Sequence, residues 1–268
     1  MKTVPVRSIQ SKQNPRLKQL RHALAAPGAL VGIEGPNLLE EALKAQLKLE
    51  CIFVAEDETE RLDGLKFDES TEVLALPRAL LSAALATETP QTVAALVRPP
   101  EFSWADFLDL PHAPLIVILA GVQDPGNLGT ILRSAEAFGA TGVLALPGTV
   151  NAWNPKAVRA SAGSLFRLPY LSSPADEAFA RLHAAGIKIW TTAVHDAFLL
   201  DKAGLVQPTA LIIGNEGNGV PEAIAAEADA TLTIPYPGPV ESLNAAVAAS
   251  ILLYEASRQR APKKGGRR

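Results

Sequence analysis

LIVILAGVQDPGNLGTILRSAEAFGA, residues 115–140, changes its periodicity halfway. The first six residues are apolar without alternation, which marks a strand buried on both faces. Beyond the glycine, Leu128, Ile131, Leu132, Ala135 and Phe138 fall on one helical stripe. Gly126 and Gly129 permit a tight backbone, and Asn127 is a favoured helix-capping type. Arg133 lies off the stripe. An isolated arginine there is ordinarily a surface residue. This one follows a polar helix start at the carboxyl end of a strand, where a guanidinium can grip a phosphate or ribose. In open parallel sheets the loops at those strand ends form the site.

The same strand–helix texture recurs outward from this segment. Apolar runs at TGVLALP, 187–194, 210–214 and 230–235 read as further strands. Helices are expected after NPKAVRASAG, over DEAFARLHAAG and over 242–260. The expected fold is α/β, a mostly parallel sheet with helices on both faces, occupying 115–260. A smaller α/β domain precedes it over 1–98, with a short apolar run at ALVGIEG and strands at 49–55, 72–76 and 92–97. Its helices start at Asn14-Pro15, Pro36 and Pro77. Four prolines and weak periodicity make 99–114 a predicted linker, and 261–268 a basic disordered tail.

Composition is that of a globular protein, with 48% hydrophobic and 20% charged residues among 268. No stretch approaches the roughly 18 consecutive apolar residues of a membrane span. No apolar signal core follows the first basic residues, so the expected compartment is the cytoplasm. One cysteine, Cys51, excludes an internal disulfide and a cysteine-cluster metal site, and the four scattered histidines have no ligand spacing. Charge is asymmetric. Residues 1–33 hold six basic side chains and no acid, and six more follow Glu255, again without an acid. The body between carries a net charge of −15. Positive ends on an acidic body point to a polyanion held locally.

Residues 214–219, GNEGNG, reverse the glycine order of a dinucleotide fingerprint. The helix after them is short, and no acid ends the next strand. Glu216 between the glycines would repel a pyrophosphate held by backbone N–H groups. The better reading is a loop whose backbone approaches a flat or cationic ligand, with Glu216 orienting the loop or facing a positive centre. A third loop, IPYPGPVESLN (234–244), is stiffened by three prolines. Ser242 is placed to cap the last helix, in which Leu243, Val247, Ile251 and Tyr254 share a face and alanines keep the middle thin.

These three loops, in this order, resemble the SpoU (TrmH-like) branch of the SPOUT RNA 2′-O-ribose methyltransferases. The match lies in Asn127–Gly129 with Arg133-Ser134-Ala135, in Gly214-Asn215-Glu216-Gly217 with Gly219, and in Ile234-Pro235 with Ser242-Leu243-Asn244. NPKAVRASAGSLFRLP (154–169) resembles the family's intervening segment. SKQNPRLKQL and EGPNLLEEAL resemble, more loosely, the substrate-binding domain of ribosomal-RNA members. The resemblance implies a C-terminal trefoil knot, S-adenosyl-L-methionine as cofactor, RNA as substrate, and a homodimer with the active site at the subunit interface. It assigns Arg133 to the ribose 2′-hydroxyl, Asn127 and Asn244 to positioning, and Glu216 to ordering the cofactor loop. Thr192, Ala193, Gly214, Asn215, Gly217, Ile234, Ser242 and Leu243 would hold the cofactor. Arg7, Lys12, Arg16, Lys18, Arg21 and Arg159 would take RNA phosphates. Ribosomal RNA is the expected substrate. Transfer RNA, or RNA binding without catalysis, stays open as the alternative.

Overall fold

The computed structural model describes residues 5–85, 87–193 and 197–262. Lys2, Val194, His195 and the tail residues Lys263, Lys264, Arg267 and Arg268 lie outside them. The chain forms two compact units, Met1–Glu101 with Ala152–Arg167, and Phe102–Asn151 with Leu168–Arg268. Elements are numbered along the chain.

The first unit contains β1 (Val6–Ser8), α1 (Pro15–Ala25), β2 (Val31–Glu34), α2 (Pro36–Lys44), β3 (Leu49–Ala55), β4 (Glu72–Leu76), α3 (Arg78–Leu85) and β5 (Val93–Val97). Its sheet runs β1-β4-β3-β5-β2. β1, β4 and β3 are parallel, while β5 is antiparallel to both β3 and β2. Asn14 accepts from the amides of Arg16 and Leu17 and so starts α1, with Pro15 in the first turn. Leu17 and Leu20 of α1 and Leu81 of α3 close over Phe53, Leu74 and Leu96. Each such burial is worth about 1.5–3 kcal/mol. Cys51 belongs to this cluster, and burial pushes its thiol up to about 12, so it stays protonated.

A further helix, α6 (Pro155–Ser161), joins this unit from the middle of the chain. Arg159 reaches Glu34 at 3.8 Å, and Arg167 pairs with Glu41 at 2.6 Å. The sequence reading drew 154–169 within the C-terminal region; ion pairs to residues more than a hundred positions away are not visible in periodicity.

The second unit contains α4 (Ala105–Leu108), β6 (Leu115–Ala120), α5 (Pro125–Ala137), β7 (Gly142–Ala145), β8 (Tyr170–Ser172), α7 (Ala175–Ala184), β9 (Lys188–Thr192), β10 (Phe198–Leu199), β11 (Thr209–Gly214), α8 (Glu222–Ala225), β12 (Ala230–Thr233) and α9 (Ala245–Arg260). All seven strands are parallel, in the order β10-β12-β9-β11-β6-β7-β8. One core cluster joins Ile116, Ile118, Ile189 and Ile212 to Phe179 and Leu182 of α7. Neither α5 nor α9 enters that cluster; they pack on each other and α9 on β11.

The expected linker does more than connect. Phe107 is fully buried in the second unit's core, so close to β7 that a Cβ on Gly142 would lie 2.4 Å from its ring. Strands β1, β8 and β10 escaped the sequence reading because they are two or three residues long and none of their residues is fully buried. Among the described residues no helix is long and apolar enough to cross a membrane.

Candidate active site

β6 and β11 are neighbours in register from Leu115↔Thr209 to Ala120↔Gly214. Their carboxyl ends therefore stand side by side, and the loops that follow must meet. The loop after β6 ends at Asp124, whose side chain accepts from the amide of Asn127 at 2.8 Å and caps α5, with Pro125 in the first turn. Asn127, expected as the cap, instead lies inside the first turn. The Asp-Pro pair carried the signal, since proline favours the first helical position.

Asn127 is thereby free to use its side chain elsewhere. Its Nδ2 donates to Glu216 at 2.9 Å, and its Oδ1 accepts from Nδ2 of Asn244 at 3.0 Å. Glu216 also accepts from the amides of Gln123 and Asp124 at 3.3 and 3.2 Å. Burial opposes the charge on Glu216, but the hydrogen bonds from Asn127 and the backbone outweigh it and hold the carboxyl below its usual range. One chain of polar contacts thus joins all three sequence loops.

The loop after β11 is a tight reversal. Asn215 and Gly219 form an antiparallel bridge, with N–H to O distances of 2.8 and 3.0 Å. Asn215 fastens the turn by accepting from Gly217 N at 2.8 Å and donating to Gly121 O at 2.9 Å. A Cβ on Gly214 would sit 2.3 Å from the carbonyl carbon of Gly219. The backbone that comes close to Gly214 is therefore the loop's own. Gly219 needs its glycine for a φ of +68°.

At the third loop the cap of α9 is Asn244, not Ser242. Oδ1 of Asn244 accepts from Ala246 N and Val247 N, while residues 242–244 are not helical. Ala246, Ala249, Leu252 and Leu253 turn inward. Val247 and Tyr254 are 49% and 56% exposed, so the expected apolar face is largely solvent-facing within this chain. α5 and α9 are tied by Ser134 and Ser250 at 2.7 Å and by an edge-on contact of Phe138 with Tyr254. Ser250 donates to Ala246 O, so Ser134 is the donor to Ser250.

A cavity of about 220 Å³ opens at the carboxyl ends of β9, β11 and β12. Thr192, Ala193, Gly214, Asn215, Gly217, Ile234, Ser242 and Leu243 all line it. Ile213, Val220, Thr233, Tyr236, Ala245 and Ala248 line it too, and the sequence reading missed them. Among the described residues the lining includes one carboxylate, Glu216, and no lysine, arginine or histidine. None of these described residues would neutralise a pyrophosphate. Apolar walls with peptide groups and a single acid suit a flat base joined to a cationic centre, the chemistry of S-adenosyl-L-methionine.

Arg133 is exposed and absent from that lining. It makes no hydrogen bond or ion pair with the described residues. Asn127 and Arg133 are six residues apart on α5, which places them about 120° apart around the helix.

The basic residues of the first unit divide. Arg7 and Arg16 both pair with Glu72, at 2.6 and 2.7 Å. Arg21 donates to Lys12 O at 3.3 Å, and Lys12 and Lys18 are exposed. Arg21, Lys156 and Arg159 line one cleft. Of the basic C-terminal end, Arg258 pairs with Glu255, and Arg260 donates to the carbonyls of Ala113, Pro114, Leu205 and Gln207. The Arg258–Glu255 pair lies within α9, whereas Arg260 ties the helix to the segments before β6 and β11, and burial lowers the pKa of Arg260.

The SpoU rRNA Methylase family matches residues 114–254, and the MRM3-like substrate binding domain matches 28–95. A Bacillus subtilis relative, the 23S rRNA (guanosine(2553)-2′-O)-methyltransferase RlmP, is 38% identical over 222 residues, covering 83% of this chain and 86% of its own. The SpoU methyltransferase AviRb from Streptomyces viridochromogenes, solved with AdoMet, superposes with a TM-score of 0.81 at 31% identity, over 92% of this chain and 98% of its own. The AdoMet-bound rRNA methyltransferase of Sinorhizobium meliloti gives 0.85 at 28% identity, over 96% and 99%. With the three loops joined at one set of strand ends, the chain belongs to the SpoU rRNA methylase family.

Proposed function

We propose that the chain methylates ribosomal RNA. It is an S-adenosyl-L-methionine-dependent RNA 2′-O-ribose methyltransferase, and the preference for ribosomal over transfer RNA follows its relatives. Those from Bacillus subtilis and Streptomyces viridochromogenes are named as 23S rRNA 2′-O-methyltransferases. The observation that carries the site is the Glu216–Asn127–Asn244 chain of hydrogen bonds beside the 220 Å³ cavity.

S-adenosyl-L-methionine would supply a methyl group on a sulfonium. Ile234, Leu243 and the reversal at Gly214–Gly219 would hold it, with Thr192, Ala193, Asn215 and Ser242 at the rim. Asn127, Asn244 and Glu216 are positioning residues, because their polar atoms are spent on each other and on the backbone. A ribose oxygen must lie in line, about 3–3.5 Å from the methyl carbon, and lose its proton or have its charge offset. Arg133 supplies that charge, its guanidinium acting electrostatically rather than as a base.

The 120° separation favours a homodimer in which Arg133 of one subunit serves the cavity of the other. The exposed Val247 and Tyr254 provide an apolar face for that pairing. The trefoil knot implied by the resemblance, and a cytoplasmic place of work, belong to the same reading. The test is methylation of ribosomal RNA by Arg133→Ala beside Arg159→Ala. A wild-type rate in the first with a lost rate in the second would reject the assignment of Arg133.

A further inference from the structure

Glu34 sits at the end of β2 with its side chain 3% exposed. Its Oε1 accepts from Thr87 Oγ1 at 2.9 Å and from the amide of Gln91 at 3.0 Å. Its Oε2 is buried without a hydrogen-bond partner, and the guanidinium of Arg159 stops 3.8 Å away. A buried acceptor without a donor is rare and costly, so the arrangement asks for a donor from outside.

Two cavities of the first unit meet at Arg159. One, of about 300 Å³, is lined by Glu34, Gly35, Asn37, Gln91 and Arg159, and by a second carboxylate, Glu41, which is paired with Lys44 and Arg167. The other, of about 420 Å³, has the cations Arg21, Lys156 and Arg159, no acid among the described residues, and an apolar floor that includes Leu24, Ala83 and Ala84. Cations over an apolar floor suit the backbone and the flat face of a single-stranded nucleotide. A carboxylate accepts only, so beside them it selects donors; the ribose 2′-hydroxyl is one on every nucleotide, and the base N–H groups are the ones that differ. Thr87 and Gln91 already occupy Oε1, so Oε2 is the oxygen left to accept. Guanine can bring two adjacent donors of its pairing edge to it, whereas adenine and cytosine place an acceptor beside theirs and uracil flanks its one donor with two.

We infer that Glu34 and Arg159 form a base-reading site in the first unit that takes an unpaired guanine of the RNA substrate, with Arg21 and Lys156 holding the adjoining phosphates. This rests on the reading of the chain as an RNA methyltransferase and names a contact distinct from the methylated ribose. Fluorescein-labelled UUGUU, UUAUU and UUUUU are titrated by polarisation into the full-length wild type and into Glu34→Gln. Wild type binds UUGUU at least fivefold tighter than UUUUU, with UUAUU between, and Glu34→Gln binds all three alike at the UUUUU affinity. S-adenosyl-L-methionine titration of the same variant reports an intact second unit. A wild type without base preference, or a variant that melts at lower temperature yet keeps the preference, overturns the proposal and leaves Glu34 a fold contact. If wild type binds none of the oligonucleotides, the proposal fails while methylation of ribosomal RNA by the same preparation preserves the enzymatic reading; loss of both removes that reading too.

Discussion

The side-chain amide of Asn244 donates to Oδ1 of Asn127 at 3.0 Å, joining residues 117 positions apart. Asn244 also caps α9 through its Oδ1, and Asn127 passes its own amide to Glu216. Both orientations are fixed by the helix, since only the oxygen of Asn244 can accept from Ala246 and Val247. The start of α9, the start of α5 and the loop after β11 therefore move together.

Asn127→Asp tests that coupling. It keeps the acceptor for Asn244 but sets a second carboxylate against Glu216. We expect it to weaken S-adenosyl-L-methionine binding more than Asn127→Ala does, and Glu216→Gln to restore the double variant. Calorimetric titration of the four proteins checks the order.

Acid should loosen the same loop. The folded pKa of Glu216 is depressed from 4.5. Its contribution is therefore complete above the unfolded value and is lost as pH falls through the folded one. Glu216→Ala should cost about 1 kcal/mol at neutral pH, a modest figure because the group is exposed. In urea unfolding, the gap to wild type should shrink below that unfolded value.

Gly214→Ala places a carbon 2.3 Å from the backbone of Gly219. No rotamer relieves a Cβ clash, so the reversal must open. Overpacking of this kind costs about 1–3 kcal/mol. We expect a lower melting temperature together with loss of cofactor binding, read by thermal unfolding with and without S-adenosyl-L-methionine.

Subunit sharing predicts rescue between inactive variants. Arg133→Ala should lower kcat by about 100-fold, the scale of losing one transition-state charge contact. Its cofactor affinity should stay close to wild type. After unfolding and refolding together, equal parts of Arg133→Ala and Gly214→Ala should recover about a quarter of the wild-type rate, because half the dimers are mixed and each holds one complete site. Recovery should vanish when Tyr254→Glu is added to both chains, with light scattering reporting monomers.

Much of the fold was legible because parallel strands buried on both faces announce themselves as unbroken apolar runs. β4, β6 and β11 do so most plainly, and β5, though antiparallel to its neighbours, reads the same way. The eight cavity-lining residues named from the sequence came with the family resemblance; strand-end position alone pointed to the loops and not to the individual side chains. Capping was less so. Asn127 and Asn244 are both capping types, and only tertiary contacts decide that one caps while the other bridges. Ser242 lost its expected place for that reason. Glu34 was read only as the first acid of the chain; its unpartnered oxygen exists only once Thr87, Gln91 and Arg159 have gathered around it. Arg260 was counted only among the basic residues that follow Glu255, yet it anchors α9 to four carbonyls.

The most direct measurement is transfer from methyl-tritiated S-adenosyl-L-methionine to ribosomal RNA taken from a strain lacking this protein, with the label mapped by nucleotide. The account predicts a single 2′-O-methylated ribose in ribosomal RNA, labelled about 100-fold more slowly with Arg133→Ala. Label on a base, label in transfer RNA alone, or no label with protein that binds the cofactor would contradict it.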